Sequence, residues 1–262
     1  MKQQIQALQA ELIKIKSAKI LWTTFIAFGL VPVMGGVFIL VVQDNEAMEK
    51  ASGFALKIRA MNFEANWKSY LSLLNQAVGV GGIMLFGFVA SWIFGREYSD
   101  GTAKDLLSLP TSRTKILNAK FILYVLWCLM LALSNLFIAF ILGTILHLPS
   151  IDTSLLTQLL SDYFITTALT VIIGVPIAFF ALWGKGYLAS LGFVTLTLVF
   201  SQVIAAIGYG SYFPWSIPGL YSGAGGEYKK LLNNYSYGIL LLTSIAGYLA
   251  TITYWNNADQ TK

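Results

Sequence analysis

The chain has 262 residues, 56% of them hydrophobic and only 11% charged, with a net charge of +5. A soluble domain carries about 25% charged residues, so this composition excludes a water-covered globule and points to a polytopic membrane protein. The basic residues are dispersed, which argues against a nucleic-acid surface, and the single cysteine, Cys128, and single histidine, His147, exclude a disulfide framework and a zinc motif of paired Cys or His.

Residues 1–19 read as a polar helix at the membrane interface, and the apolar run behind it is too long for a cleavable signal peptide. Six runs then reach the roughly 20 apolar residues that a helix needs to cross a bilayer: 20–42, 73–94, 121–146, 163–183, 187–208 and 237–255. The expected fold is all-α, a six-span domain over 20–255 followed by a short tail at 256–262. None of the runs shows the ten-residue alternation of a membrane barrel. Trp22, Trp183, Tyr187, Tyr254 and Trp255 stand near span ends, where aromatic rings anchor at the interface. With the N-terminus inside, the inner segments hold eleven basic residues and the outer segments six, which favours both termini in the cytoplasm.

The first outer segment, 43–72, has balanced charge and reads as an amphipathic helix at the outer surface. Span two carries Gly79, Ile83, Gly87, Ser91 and Gly95 at a strict spacing of four, a stripe that lets helices approach closely. It serves packing within one subunit, a translocation path or a seam between two copies.

The hydrophilic stretch 96–120 follows. Gly101 supplies a bend, Thr102 with Asp105 fits a capping box, and Pro110 stops the short helix that begins there. Ser112 is a second N-cap candidate, leading a helix that takes Arg113, Lys115 and Lys120 into span three. With Leu106, Leu107 and Leu109 on its apolar side, the short helix either rests on lipid or fits a groove on a cytoplasmic partner.

The run Glu97, Gly101–Thr102, Leu106–Leu107, Pro110 and Arg113 (E-x-x-x-G-T-x-x-x-L-L-x-x-P-x-x-R) resembles the signature of type-2 ATP-binding cassette exporter permeases. The resemblance implies that a coupling helix at about 102–109 seats on a separate ATPase subunit. It implies too that ATP and Mg are bound by that partner, with no cofactor in this chain, and that a second permease copy, identical or homologous, completes the pathway. The helix with Glu11, Lys14 and Lys16 is similar to that family's interfacial helix.

The absences agree. A P-loop needs G-x-x-x-x-G-K-[ST], and the nearest stretch, FFALWGKGY, has Phe179 at the first Gly position and Gly186 at the Ser/Thr position. Ionisable residues are missing from the central parts of the spans, which disfavours a proton- or sodium-driven carrier. No HExxH, G-x-S-x-G or paired intramembrane carboxylate suggests an enzyme, and the Ser and Thr of the spans read as links between helices.

The outer segment 209–236 mixes Tyr212, Phe213, Trp215 and Tyr221 with Pro214, Pro218 and several glycines. Too apolar for a solvated loop, it reads as a re-entrant hairpin or as aromatic anchoring. The resemblance makes Phe213, Pro214, Trp215, Pro218 and Tyr221 a candidate outer gate. The expected function is export, across a bacterial plasma membrane, of an amphipathic or hydrophobic cargo such as a peptide antibiotic or lipid-linked molecule. The outward direction follows from the resemblance alone. The alternative is a non-transporting assembly or sensing subunit that binds a cytoplasmic partner.

Overall fold

The computed structural model describes residues 2–16, 18–44, 52–102, 112–224 and 226–257, which form helices, turns and connections without a strand. Helix α1 is Lys2–Lys16, α2 Lys19–Gln43 and α3 Ser52–Ala60. Helix α4 is the continuous run Trp67–Ser99, α5 is Arg113–Ile145, and α6, Thr153–Gly174, passes through Pro176 into α7, Ile177–Trp183. Helix α8 is Tyr187–Ala206, α9 the single turn Ile217–Tyr221, and α10 Asn234–Asn257. Among the described residues, six helices are long and apolar enough to cross a membrane: α2, α4, α5, α6 with α7, α8 and α10. Helix α3 lies in the first of the three segments expected at the outer face.

Most helices overrun the apolar runs read from the sequence. Span two starts at Trp67 and continues to Ser99, span three starts at Arg113 and span four at Thr153, whereas span five stops at Ala206. Hydropathy falls wherever polar residues appear, yet a helix continues through polar residues that find partners inside the protein. The starts of spans two and four are capped: the Asn66 side chain accepts a hydrogen bond from the Ser69 N–H at 2.8 Å, and Asp152 accepts one from the Ser154 N–H at 3.2 Å. Ser112, the N-cap candidate before span three, makes no side-chain cap.

Helix α4 and the α6–α7 span are the most enclosed, each with 61% of its most apolar stretch buried against 22% for α8 and for α10. For α4 the stripe of small residues makes this possible. A Cβ on Gly79 would stand 2.6 Å from the Pro218 carbonyl, one on Gly87 2.8 Å from Val194, and one on Gly95 2.6 Å from the Gly186–Tyr187 backbone. These glycines therefore seat α4 against α8 and the α9 turn of the same chain, and Ser91 between them is fully buried.

Two prolines inside the spans remove backbone donors, and each freed carbonyl meets a side chain from a neighbouring helix. Pro32 leaves Phe28 O without its helical N–H; the buried Asn135 of α5 donates to it at 2.9 Å. Pro176 removes the i+4 donor of Ile172 O, which accepts instead from the Val175 N–H at 3.2 Å and from Ser244 of α10 at 2.9 Å. Within α4 the helix widens to a π turn at Ala77–Gly81, and the Thr170 hydroxyl lies 3.4 Å from the Val78 carbonyl. In lipid no water substitutes for such partners.

Replacing Asn135 by Leu is expected to lower the unfolding free energy of the detergent-solubilised protein by about 1–3 kcal/mol, because Phe28 O loses its donor. In a chain that also carries Pro32→Ala, residue 32 supplies an N–H to Phe28 O, so the same Asn135 substitution costs measurably less in a double-mutant cycle.

Candidate functional site

Chain alternation places α1, the end of α4, the start of α5 and the end of α10 together at one end of the bundle. The last turn of α4 presents Arg96 and Glu97, both buried. Two turns into α5, Lys120 lies on the stripe Leu117, Tyr124, Trp127, Cys128 and Leu131, all at most 1% exposed, and is itself buried to the same degree. Helix α1 lies across both, with Glu11 and Lys14 one turn apart.

These side chains form one ion network. Lys120 Nζ is 2.7 Å from Glu97 Oε1, 2.8 Å from the Ile93 carbonyl and 3.5 Å from Glu11 Oε2, so each of its three N–H groups has an acceptor. Arg96 Nη2 is 3.4 Å from Glu11 Oε2 and Nε 3.5 Å from Glu97 Oε1, while its guanidinium sits 4.6 Å over the Trp92 ring. Lys14 closes the network at 2.8 Å from Glu11 and 3.5 Å from Glu97. Lys14 is 37% exposed, whereas Lys120 and Glu11 keep only 2% and 3% of their side-chain surface. Charges this deep are stable only when paired and hydrogen-bonded.

The network holds both ends of the connection between α4 and α5. Helix α4 closes in a Schellman motif: Gly101, at φ +71°, donates to Tyr98 O at 3.2 Å, and Thr102 N–H donates to Glu97 O at 2.8 Å. Glu97 thus binds Lys120 through its side chain and Thr102 through its backbone. At the far end, Ser112 stands at the N-cap position of α5, the Trp255 indole donates to Arg113 O at 3.2 Å, and Arg113 Nη1 reaches Asn256 O at 3.4 Å. Tyr98 packs edge-on against Trp255, and Lys115 Nζ bonds Gln3 of α1 at 2.5 Å. Of the residues expected to dock a partner, Glu97, Gly101, Thr102 and Arg113 are gathered here, and Asp105, Leu106, Leu107 and Pro110 lie outside the described residues.

Lys120 was expected as a basic marker beside the membrane and is instead buried inside the helix. Charge counting assigned it to the wet side. The signal was its position at i−3 from Leu123 and i−4 from Tyr124 on the buried face of α5. Glu11 is read from the sequence only as part of the interfacial helix, and nothing local pairs it with Arg96, since nothing local shows that α1 folds back over α4.

At the opposite end, residues 209–236 form short turns at Gly210–Tyr212, Pro214–Ser216 and Gly226–Leu231 around α9. Trp215 packs on Phe213 and on Phe193 of α8, and Ser216 donates to Ser201 O at 3.0 Å. Pro218 faces Gly79, and Tyr221 donates to Asp162 at 3.1 Å. A cavity of about 50 Å³ lies between these turns, α4 and α8, lined by Gly79, Ile83, Ser201, Trp215 and Leu220 among others.

A family model described as ABC-2 family transporter protein matches residues 7–203, which include Glu11, Arg96, Glu97 and Lys120 and stop short of the 209–236 segment. The bacitracin transport permease protein BCRB of Bacillus licheniformis is 28% identical over 178 residues, covering 68% of this chain and 85% of that protein.

Lys120→Met leaves Glu97 and Glu11 with less compensation, and the purified protein is expected to lose about 3–5 kcal/mol of unfolding free energy. Adding Glu97→Gln to Lys120→Met restores part of that loss in chemical denaturation, because one stranded carboxylate is gone.

Proposed function

The chain belongs to the ABC-2 family of transporter proteins, and on that footing we propose that it is the permease half of an exporter that moves an amphipathic or hydrophobic cargo outward on energy from a separate ATPase chain. It is a multi-pass plasma-membrane permease subunit of bacterial type. ATP and Mg belong to the partner, since no stretch of this sequence has the glycine, lysine and hydroxyl spacing of a P-loop. A second permease copy completes the pathway, as is usual for the family. Both termini face the cytoplasm, in keeping with eleven basic residues inside against six outside.

The observation that carries this reading is the buried ion network at the two ends of the 103–111 connection. A partner pressing on a floppy loop would move only the loop. Glu97 and Lys120 join the end of α4 to the start of α5, so a push delivered to either helix end moves both helices together. The residues of the connection dock on the ATPase, nucleotide closure tilts α4 and α5, and the pathway opens near 212–221. The cargo is read from the composition of the spans, which offers aromatic rings, hydroxyls and amides. The relative is named for bacitracin transport, and export of a peptide antibiotic is the role that this composition suits.

Leu106→Asp with Leu107→Asp is expected to abolish co-purification of the partner ATPase and its stimulation, while the permease still inserts and melts normally. Undiminished co-purification would remove the docking claim. A cysteine at Asp100 is expected to resist a membrane-impermeant maleimide in intact cells and to react in inverted vesicles; labelling from outside would overturn the orientation.

A further inference from the structure

The end of the bundle opposite α1 holds, beside the candidate outer gate that includes Tyr221, an ion pair whose charges the transport reading does not use. Asp162, on α6, accepts the Tyr221 hydroxyl at 3.1 Å, and the Lys229 ammonium approaches the same carboxylate oxygen at 3.1 Å. That ammonium also stands 4.2 Å over the face of the Tyr221 ring. A carboxylate beside the face of an aromatic ring is the chemistry that recognises an organic ammonium. Burial and the Asp162 carboxylate push the Tyr221 phenol up to about 12, so it remains a neutral donor that orients the carboxylate.

We propose that Asp162 and the ring face of Tyr221 form a receptor for the ammonium group of an external amphipathic molecule, and that the chain's own Lys229 fills it at rest. Lys229 is suited to leave. Its side chain is 40% exposed, and Asp162 is 25% exposed, so water screens the pair and it contributes little to holding the segment. Lys229 rides on the turn Gly226–Leu231, preceded by Gly223 and Gly226 at positive φ. The same outer segment leaves Tyr209, Tyr212 and Tyr235 largely exposed, offering apolar surface to the body of a molecule whose ammonium displaces Lys229. The receptor's use in transport rests on the permease reading; its existence does not.

The test is binding to the chain alone, without an ATPase, reconstituted in phosphatidylglycerol nanodiscs. The probe is n-butylammonium, with n-butanol as the neutral control, followed by saturation-transfer NMR. Lys229→Gln empties the receptor and is expected to bind n-butylammonium roughly tenfold more tightly than the native chain, with no change for n-butanol. Adding Asp162→Asn or Tyr221→Leu to Lys229→Gln should cancel the gain, whereas adding Tyr221→Phe, which keeps the ring, should retain most of it. Equal affinity in the native and Lys229→Gln chains, or an equal gain for n-butanol, would overturn the proposal and leave Lys229 a structural latch. Discs containing phosphatidylethanolamine separate the two sources of the group: competition with the probe assigns the site to a lipid headgroup, and absence of competition to a soluble amphipath. A chain that binds the probe but never exports would remove the permease reading and leave the receptor standing.

Discussion

The contact between Lys120 and Glu97 is the constraint from which the rest of the structure at this end follows. An ammonium taken from water costs several kcal/mol even after relaxation, and Lys120 is offset only because Glu97, Ile93 O and Glu11 together satisfy it. That requirement fixes three things at once. It sets the register of α5 against α4. It brings α1 back over the bundle, because Glu11 comes from nowhere else. It also holds Glu97 in place while the backbone of the same residue receives Thr102. A polar network inside a helix bundle is useful to a machine only if complete, and this one makes the end of α4 and the start of α5 a single body.

Beyond the network, the bundle solves one problem repeatedly. Every backbone group in the membrane needs a partner within the protein, and each place where a span departs from a regular helix is met from a neighbour. Asn135 covers the carbonyl freed by Pro32, Ser244 the one freed by Pro176, and Thr170 approaches Val78 in the π turn of α4. The partners come from different helices, so the irregularities double as registration marks. Only the last of these involves α4, whose small residues admit close neighbours. An element with rigid packing at both ends and a π turn between them is suited to tilt as a unit.

Much of this was legible in the sequence, for physical reasons. The number of spans follows from hydropathy, since a bilayer leaves the backbone so few choices. The approach of α4 to its neighbours follows from the spacing of Gly79, Gly87 and Gly95. What stayed hidden depends on where a charge ends up. Lys120 and Arg113 look alike in a count of basic residues, yet Lys120 is buried and Arg113 exposed, and only the face of α5 distinguishes them. Asp162 was placed just outside the fourth span and in fact lies on its helix. The helix end at His147, at positive φ, carries no glycine signal.

Coupling is therefore a claim about stiffness: a push on the connection reaches α4 and α5 because Glu97 is held on both its side chain and its backbone. The most direct measurement is ATP-dependent cargo uptake into inverted vesicles, the equivalent of export in the cell, with the permease and its ATPase, comparing the native chain with Glu97→Gln. If the network transmits the push, Glu97→Gln still co-purifies with the ATPase and hydrolyses ATP, but exports far less cargo per ATP. Export per ATP equal to that of the native chain would contradict the account.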